Sequence, residues 1–289
     1  MKTGMIGLGA MGAPMARNLK AAGLLHAVWN RTGSKATALA TELGCSAAAS
    51  IRALGTACDA VVVCVSADDD VRAVVAELAA SLRRGGLVID CSTVSADTAR
   101  EAARVLGGGG IDFLDCPVSG GVEGARAATL AIMAGGDPAA FERAQPILKA
   151  LGRTIALMGP SGAGQATKAT NQILCAGVIQ AVAEAMAFAK AEGLPLEQLI
   201  DTLGKGAGSS WYFVHRAPYM AHGEFPAGFR VRLHAKDLRI CHSMAARHGA
   251  ELPVVEATLA NYRELVEQGH GDEDISVLFR LKEALFGAK

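Results

Sequence analysis

Aromatic residues are scarce in this sequence, at 4%, so whatever core it builds must be aliphatic and alanine-rich, which suits close helix packing. Charge bias is absent: 28 Lys and Arg face 28 Asp and Glu over 289 residues. A nucleic-acid or anionic-membrane partner would leave an electrostatic footprint, so neither is expected. Disulfide signals are missing too. The seven cysteines, at 45, 58, 64, 91, 116, 175 and 241, are odd in number and form no CxxC pair. Most lie in or beside apolar runs, where a reduced thiol packs as a small hydrophobe, and a reducing, cytoplasmic compartment is the simpler expectation. The seven histidines show no HExxH or other metal-ligand spacing, so no metal site is expected. Gly4, Gly7 and Gly9 interrupt any apolar signal-peptide stretch. The most apolar run, 173–189, contains Gln180 and Glu184 and sits near the lower limit of about 17 residues for a membrane span. It reads as a buried helix of a soluble protein.

Apolar residues and glycine are plentiful, at 51% and 34 residues. At about 150 residues per domain, the length suggests two domains. Over the first 160 residues, short β-branched runs alternate with amphipathic segments. Strands are predicted at 4–7, 26–30, 60–65, 87–91, 111–115, 130–134 and 154–157, and helices at 11–22, 35–43, 71–82, 96–106 and 140–151. Strands apolar on both faces and separated by helices imply a parallel sheet covered on both sides, a doubly wound α/β domain. After Gly159-Pro160-Ser161-Gly162 the strand patterns stop. A helix over 163–192 is predicted, roughly 45 Å long, followed by helices at 196–203, 210–220, 235–247, 254–268 and 275–285. The expected organisation is a nucleotide domain over 1–161 and an all-α domain over 162–289, built on a long interdomain helix that suggests a homodimer or homotetramer.

Gly7-Leu8-Gly9-Ala10-Met11-Gly12 follows a short apolar strand and opens a helix, the context in which GxGxxG signals a dinucleotide. The first glycine makes the turn, the second lets pyrophosphate approach the backbone, and the third lets helix pack on strand. An acidic residue at the end of the second strand would accept a ribose 2′-OH, but this chain reads Asn30-Arg31-Thr32 there. Asn30 and Arg31 suit a 2′-phosphate, with Thr32 adding a hydroxyl, so NADP(H) is favoured over NAD(H). The alternative is that Arg31 is an ordinary surface arginine. Asp115-Cys116-Pro117-Val118-Ser119-Gly120-Gly121 follows the fifth strand, where open α/β sheets hold ligands. Its serine and glycines could form an anion nest or only a turn. In Gly162-Ala163-Gly164-Gln165-Ala166-Thr167-Lys168-Ala169-Thr170-Asn171-Gln172, the spacing puts Lys168, Asn171 and Gln172 on one helix face. By itself Lys168 reads equally as an exposed surface lysine or as a buried one with a partner or a function. Asp68-Asp69-Asp70 reads as a helix N-cap. His234 reads as structural or peripheral. The Trp211, Tyr212 and Phe213 cluster is more often core than pocket.

Taken together, these segments and Lys236-Asp237 resemble the β-hydroxyacid dehydrogenase family, in family order and at family spacing over nearly the whole chain. The resemblance implies a Rossmann domain paired with a helical domain, with a small carboxylate substrate held in the cleft between them. It implies that Lys168 is catalytic and that Ser119, Gly120, Gly121, Asn171 and Gln172 hold the substrate, with Lys168 itself touching it. The cofactor contacts implied are Gly7, Leu8, Gly9, Ala10, Met11, Gly12, Asn30, Arg31, Thr32, Val65, Ser66, Thr93 and Lys236. Many members have Asn where this chain has Gln172. Imine-reducing relatives replace the lysine, so its presence argues for carbonyl chemistry.

The implied reaction is a hydride transfer between NADP(H) and a small 3-hydroxy acid or its semialdehyde. An ammonium stabilises the alkoxide formed on reduction and donates its proton. As a base in oxidation, the lysine needs burial or a cationic neighbour, for which Lys236 is a candidate. The alternatives are a NAD-dependent 3-hydroxyisobutyrate or L-serine dehydrogenase, and a cofactor-binding protein without turnover.

Overall fold

The computed structural model describes residues 1–287. By internal contacts the chain divides into two units, Met1–Lys168 and Ala169–Lys289. The last two residues of the expected second domain, 288 and 289, lie outside the described residues.

The first unit runs β1 (Thr3–Ile6), α1 (Gly12–Ala21), β2 (Leu25–Trp29), α2 (Gly33–Leu43), β3 (Ser46–Ala47), α3 (Ile51–Ala57), β4 (Ala60–Val63), α4 (Asp68–Ala79), β5 (Leu87–Asp90) and α5 (Ala96–Gly108). It continues with β6 (Asp112–Asp115), β7 (Val118–Ser119), α6 (Gly121–Ala127), β8 (Leu130–Gly136), α7 (Pro138–Leu151), β9 (Gly152–Gly159) and the start of α8 (Ala163–Ala191). The sheet order is β3-β2-β1-β4-β5-β6-β8-β7, with β9 beside β8. From β3 to β6 every pairing is parallel. β1, β4 and β5 are buried along their whole length, which is why they read as unbroken apolar runs and not as alternation. Helices cover both faces over two separate apolar clusters, one centred on Met15, Leu19 and Ile89 and the other on Val61, Val75 and Leu106.

The sheet departs from the expected all-parallel form at β8, which is antiparallel to both β6 and β7. The chain reaches it from β7 through the seven-residue helix α6, and nothing in its apolar run reveals its sense. Four short elements, β3, α3, β7 and α6, have no counterpart in the expected string. Each is two or seven residues long, below the length at which a period can be read. The acidic run also differs in detail. Ala67 is the cap of α4, and Asp68, Asp69 and Asp70 occupy its first turn. Asp68 instead accepts from the Ser95 amide at 3.0 Å and the Thr98 hydroxyl at 2.6 Å.

The second unit holds the remainder of α8, then α9 (Leu196–Leu203), α10 (Trp211–His222), α11 (Val231–Ala246), α12 (Pro253–Glu267), a 3₁₀ turn (Ile275–Val277) and α13 (Leu278–Ala284). Among the described residues it contains no strand, only an isolated bridge between Arg230 and Asp274. α8 is long and apolar enough to cross a membrane by length and composition. Within this unit, however, its Ala176, Ile179, Ala183 and Met186 pack into the helical core with Tyr262, Leu265 and Phe279. No disulfide joins any of the seven cysteines among the described residues.

Candidate active site

Because β1, β4, β5 and β6 are parallel and in register, with Ile6 opposite Val63, Val63 opposite Asp90 and Asp90 opposite Asp115, their following loops lie in a row along one sheet edge. The strand order reverses direction between β1 and β4. That is the switch point where open α/β sheets bind ligands.

The first loop is the glycine turn. Gly7 adopts φ +89°, and a Cβ there would lie 2.1 Å from the Cys64 carbonyl oxygen. At Gly12 a Cβ would lie 1.9 Å from the Gly7 carbonyl oxygen, so neither position admits a side chain. Gly9 is the opposite case: no atom lies within 4 Å of a Cβ built there. Its backbone faces open space at the start of α1, whose Met11 cap makes no side-chain bond. A pyrophosphate fits this arrangement, since it needs unobstructed backbone N–H groups at a helix N-terminus. Ala10 is exposed like Gly9, while Leu8 is buried.

Asn30 makes two bonds within the protein. Its carboxamide oxygen accepts from the Leu8 amide at 3.0 Å, and its nitrogen donates to the Thr32 carbonyl at 3.1 Å. The residue ties the glycine turn to the end of β2 with one of the two N–H donors of its amide. Arg31 and Thr32 are exposed, and Thr32 caps α2 without a side-chain bond. A cavity of about 370 Å³ opens here, lined by Trp29, Asn30, Arg31, Gly33, Ala36 and Thr37 with the 47–49 segment. One nitrogen of the Arg31 fork pairs with Asp70 at 3.0 Å, and the arginine side chain stays 83% exposed.

Thr93, between Ser92 and Val94 in the loop after β5, is half-buried, and Ser66 after β4 is exposed. The Val65 amide donates to the Ser92 hydroxyl at 2.9 Å, so any contact from Val65 to a ligand would come from its side chain or carbonyl. Ser119 lies in β7. Gly120, at φ +127°, caps α6 without a side-chain bond, and Gly121, at φ +63°, begins it. The two glycines are required by these backbone angles, and the first N–H groups of α6 have no partner within the helix.

The helix carrying Lys168 starts against this same edge with no side chain in between. A Cβ on Gly164 would lie 2.3 Å from the Met133 carbonyl oxygen and 2.4 Å from that of Asp115. The fully buried Asp115 carboxylate accepts from the Gly162 amide at 2.7 Å and the Gln165 amide at 2.9 Å. Burial pushes its pKa up to about 6, outweighing the two N–H bonds, which pull it down. Gln165, also buried, donates to the Ser92 carbonyl at 2.8 Å and accepts from the Val94 amide at 3.2 Å. Lys168 is 7% exposed and lies one helical turn beyond Gln165. Burial holds the thiols of Cys91 and Cys116 well above their ordinary range, which removes both as nucleophiles.

Within the helical unit, Asn171 is half-buried and its amide donates to the Gln172 carboxamide oxygen at 2.7 Å. Gln172 in turn donates to Asp237 at 2.7 Å, and Lys236 pairs with the other oxygen of Asp237 at 3.0 Å. Gln172, expected at the substrate, gives one of its two amide N–H groups to Asp237, and Lys236 is charge-compensated by its own neighbour. His234 is fully buried, bonded to the Tyr262 hydroxyl at 2.9 Å and to the Gln172 carbonyl at 3.3 Å. The aromatic trio divides: Phe213 is buried in the core and Trp211 is 52% exposed. Asp115, Gln165 and Asp237 carry much of this geometry without having been singled out from the sequence. All three stood inside the motifs, but no local pattern discloses a partner several dozen residues away.

A family model described as the NAD binding domain of 6-phosphogluconate dehydrogenase matches residues 2–159. A second, described as NAD-binding of NADP-dependent 3-hydroxyisobutyrate dehydrogenase, matches 162–282. The chain is 37% identical to the NAD-dependent L-serine dehydrogenase of Pseudomonas aeruginosa, over 96% of both chains. It is 35% identical to the 2-hydroxy-3-oxopropionate reductase of Escherichia coli, over 100% of this chain and 99% of the relative. The 3-hydroxyisobutyrate dehydrogenase of Mycobacterium tuberculosis, solved with L-serine, superposes with a TM-score of 0.88 at 33% identity, over 97% of this chain and 98% of that one.

Proposed function

The chain belongs to the β-hydroxyacid dehydrogenase family, and from that premise we propose that it interconverts a small 3-hydroxy acid and its semialdehyde, with NADP(H) as the preferred cofactor and Lys168 as general acid/base. The observation that carries the reading is a lysine 7% exposed, one turn from a buried network that ties its helix to the loops of β5 and β6. A lysine is rarely buried without a partner or a function.

When bound at Gly7–Gly12, the cofactor supplies or takes up the hydride. The protein's own groups do the rest. Ser119 and the backbone N–H groups of Gly120 and Gly121 suit a carboxylate, whose capture fixes the reacting carbon in place. The Lys168 ammonium gives its proton to the nascent alkoxide in reduction and recovers it in oxidation. Asn171, one turn further along the same helix, adds an amide. For the cofactor, the lack of a carboxylate at the end of β2 and the exposed Arg31 fork support a 2′-phosphate. The Asp70 partner, which spends part of that fork, favours a second reading, a NAD-dependent L-serine or 3-hydroxyisobutyrate dehydrogenase.

Replacing Lys168 with Ala tests the central role. Turnover is expected to fall by about 10²–10⁴-fold with NADPH affinity by fluorescence titration nearly unchanged. Retained turnover would remove the lysine from the mechanism. Screening glyoxylate, succinic semialdehyde, tartronate semialdehyde, 3-hydroxyisobutyrate and L-serine with both cofactors separates the two readings.

A further inference from the structure

Gln165 is the third residue of α8, the position from which a glutamine side chain usually reaches back to the N–H of its own helix cap. Here that N–H, from Gly162, is taken by Asp115 at 2.7 Å, and Asp115 also takes the Gln165 amide at 2.9 Å. One carboxylate from β6 thus performs both halves of a capping box, and the Gln165 side chain is released for other work. It is 1% exposed and grips the loop after β5 at two points, the Ser92 carbonyl at 2.8 Å and the Val94 amide at 3.2 Å. These points flank Thr93. The same loop is held from behind by the Ser92 amide on Asp90 at 3.0 Å and the Val65 amide on the Ser92 hydroxyl at 2.9 Å. On the helix, Gln165 and Lys168 are three residues apart, hence neighbours on its surface with about 5–6 Å between their Cβ atoms.

We propose that Gln165 is a positioning residue: its carboxamide locks the Thr93 loop, an expected cofactor contact, to the helix turn that carries Lys168, setting the separation between that loop and the proton donor. The inference rests on the reading of Lys168 as the acid/base. A helix and a loop 71 to 73 residues apart in sequence keep that separation only if something rigid joins them. A buried amide with both ends satisfied does so, because breaking either bond strands a polar group away from water.

The test compares Gln165→Ala, Gln165→Glu and Lys168→Ala with the wild-type protein, using whichever of L-serine, 3-hydroxyisobutyrate and glyoxylate turns over fastest. Gln165→Ala is expected to lose about 10²-fold in kcat, the cost of a small misplacement at a reacting centre, with NADPH affinity nearly intact. In the cofactor-free protein, hydrogen exchange at the 92–95 segment should speed up, because the Val94 amide has lost its acceptor. Gln165→Glu should recover kcat as the pH is lowered. A protonated carboxyl both accepts from Val94 and donates to Ser92, whereas a carboxylate faces the Ser92 carbonyl with no proton to offer. Wild-type kcat with unchanged exchange in Gln165→Ala, against lost turnover in Lys168→Ala, would overturn the positioning role alone. Retained turnover in Lys168→Ala would overturn the lysine reading and this inference with it. Should Gln165→Ala not fold, Gln165→Glu decides, and a pH profile parallel to the wild type would refute the clamp.

Discussion

Replacing Asp115 with Asn isolates what a buried carboxylate does at the start of α8. The wild-type side chain accepts two backbone N–H bonds at 2.7 and 2.9 Å, and burial still raises its pKa from 3.8 to about 6. A carboxyl whose folded-state pKa lies above its unfolded value stabilises the fold most when protonated. That contribution is full below pH 3.8 and is lost as the pH rises through about 6. Between pH 4.5 and pH 7 the loss from this one group comes to about 2 kcal/mol. Asn is neutral at every pH and keeps only one acceptor, so it strands one amide at about 1–3 kcal/mol with no pH dependence of its own. The stability gap between wild type and Asp115→Asn should therefore be largest at pH 4.5 and shrink by about 2 kcal/mol at pH 7. In urea that is about 1 M of midpoint for the first unit. Trp29 in β2 reports on that unit once the other tryptophan is removed by Trp211→Phe. A gap that stays constant or widens with pH would mean that the helix N–H groups outweigh burial, and the account of this residue would be wrong.

Three further outcomes follow from the geometry. Gly9→Ala should leave the melting temperature of the cofactor-free protein unchanged, because nothing lies within 4 Å of the new methyl, yet weaken NADPH binding at least tenfold. Gly12→Ala should damage folding of the first unit, since its methyl would meet the Gly7 carbonyl at 1.9 Å; isothermal titration and thermal melts of the pair check both. Arg31→Ala removes charge-assisted bonds worth about 1.5–3 kcal/mol, so kcat/KM with NADPH should fall about 10–100-fold while kcat/KM with NADH holds; equal losses would exclude a 2′-phosphate contact. His234→Phe preserves the ring but strips the bonds to Tyr262 and Gln172, and should cost the helical unit about 2–4 kcal/mol by urea unfolding; an unchanged midpoint would refute its structural role.

Much of the architecture was legible in the chain because it rests on short-range signals. The glycine turn was readable because three glycines between a strand and a helix meet local steric demands, and the structure shows those demands at Gly7 and Gly12. The parallel strands from β1 to β6, excepting two-residue β3, were readable because burial on both faces imposes apolar runs. The helical character after residue 162 was readable from the lack of turn signals.

What escaped the sequence was the partnership of residues. Asn30 has the same local surroundings whether or not it holds the Leu8 amide, and only the proximity of the β1 and β2 ends brings the two together. Gln172 donates to Asp237, 65 residues away, and Gln165 bonds a loop that precedes it by more than 70. The antiparallel sense of β8 was hidden as well, because a buried run is equally apolar in either direction. Local composition thus determined which segments become strands, turns and helices in this protein. Sheet register and burial alone decided which polar groups meet, because an unpaired buried amide or carboxylate is too costly to leave and takes the partner that the packed fold brings within 3 Å.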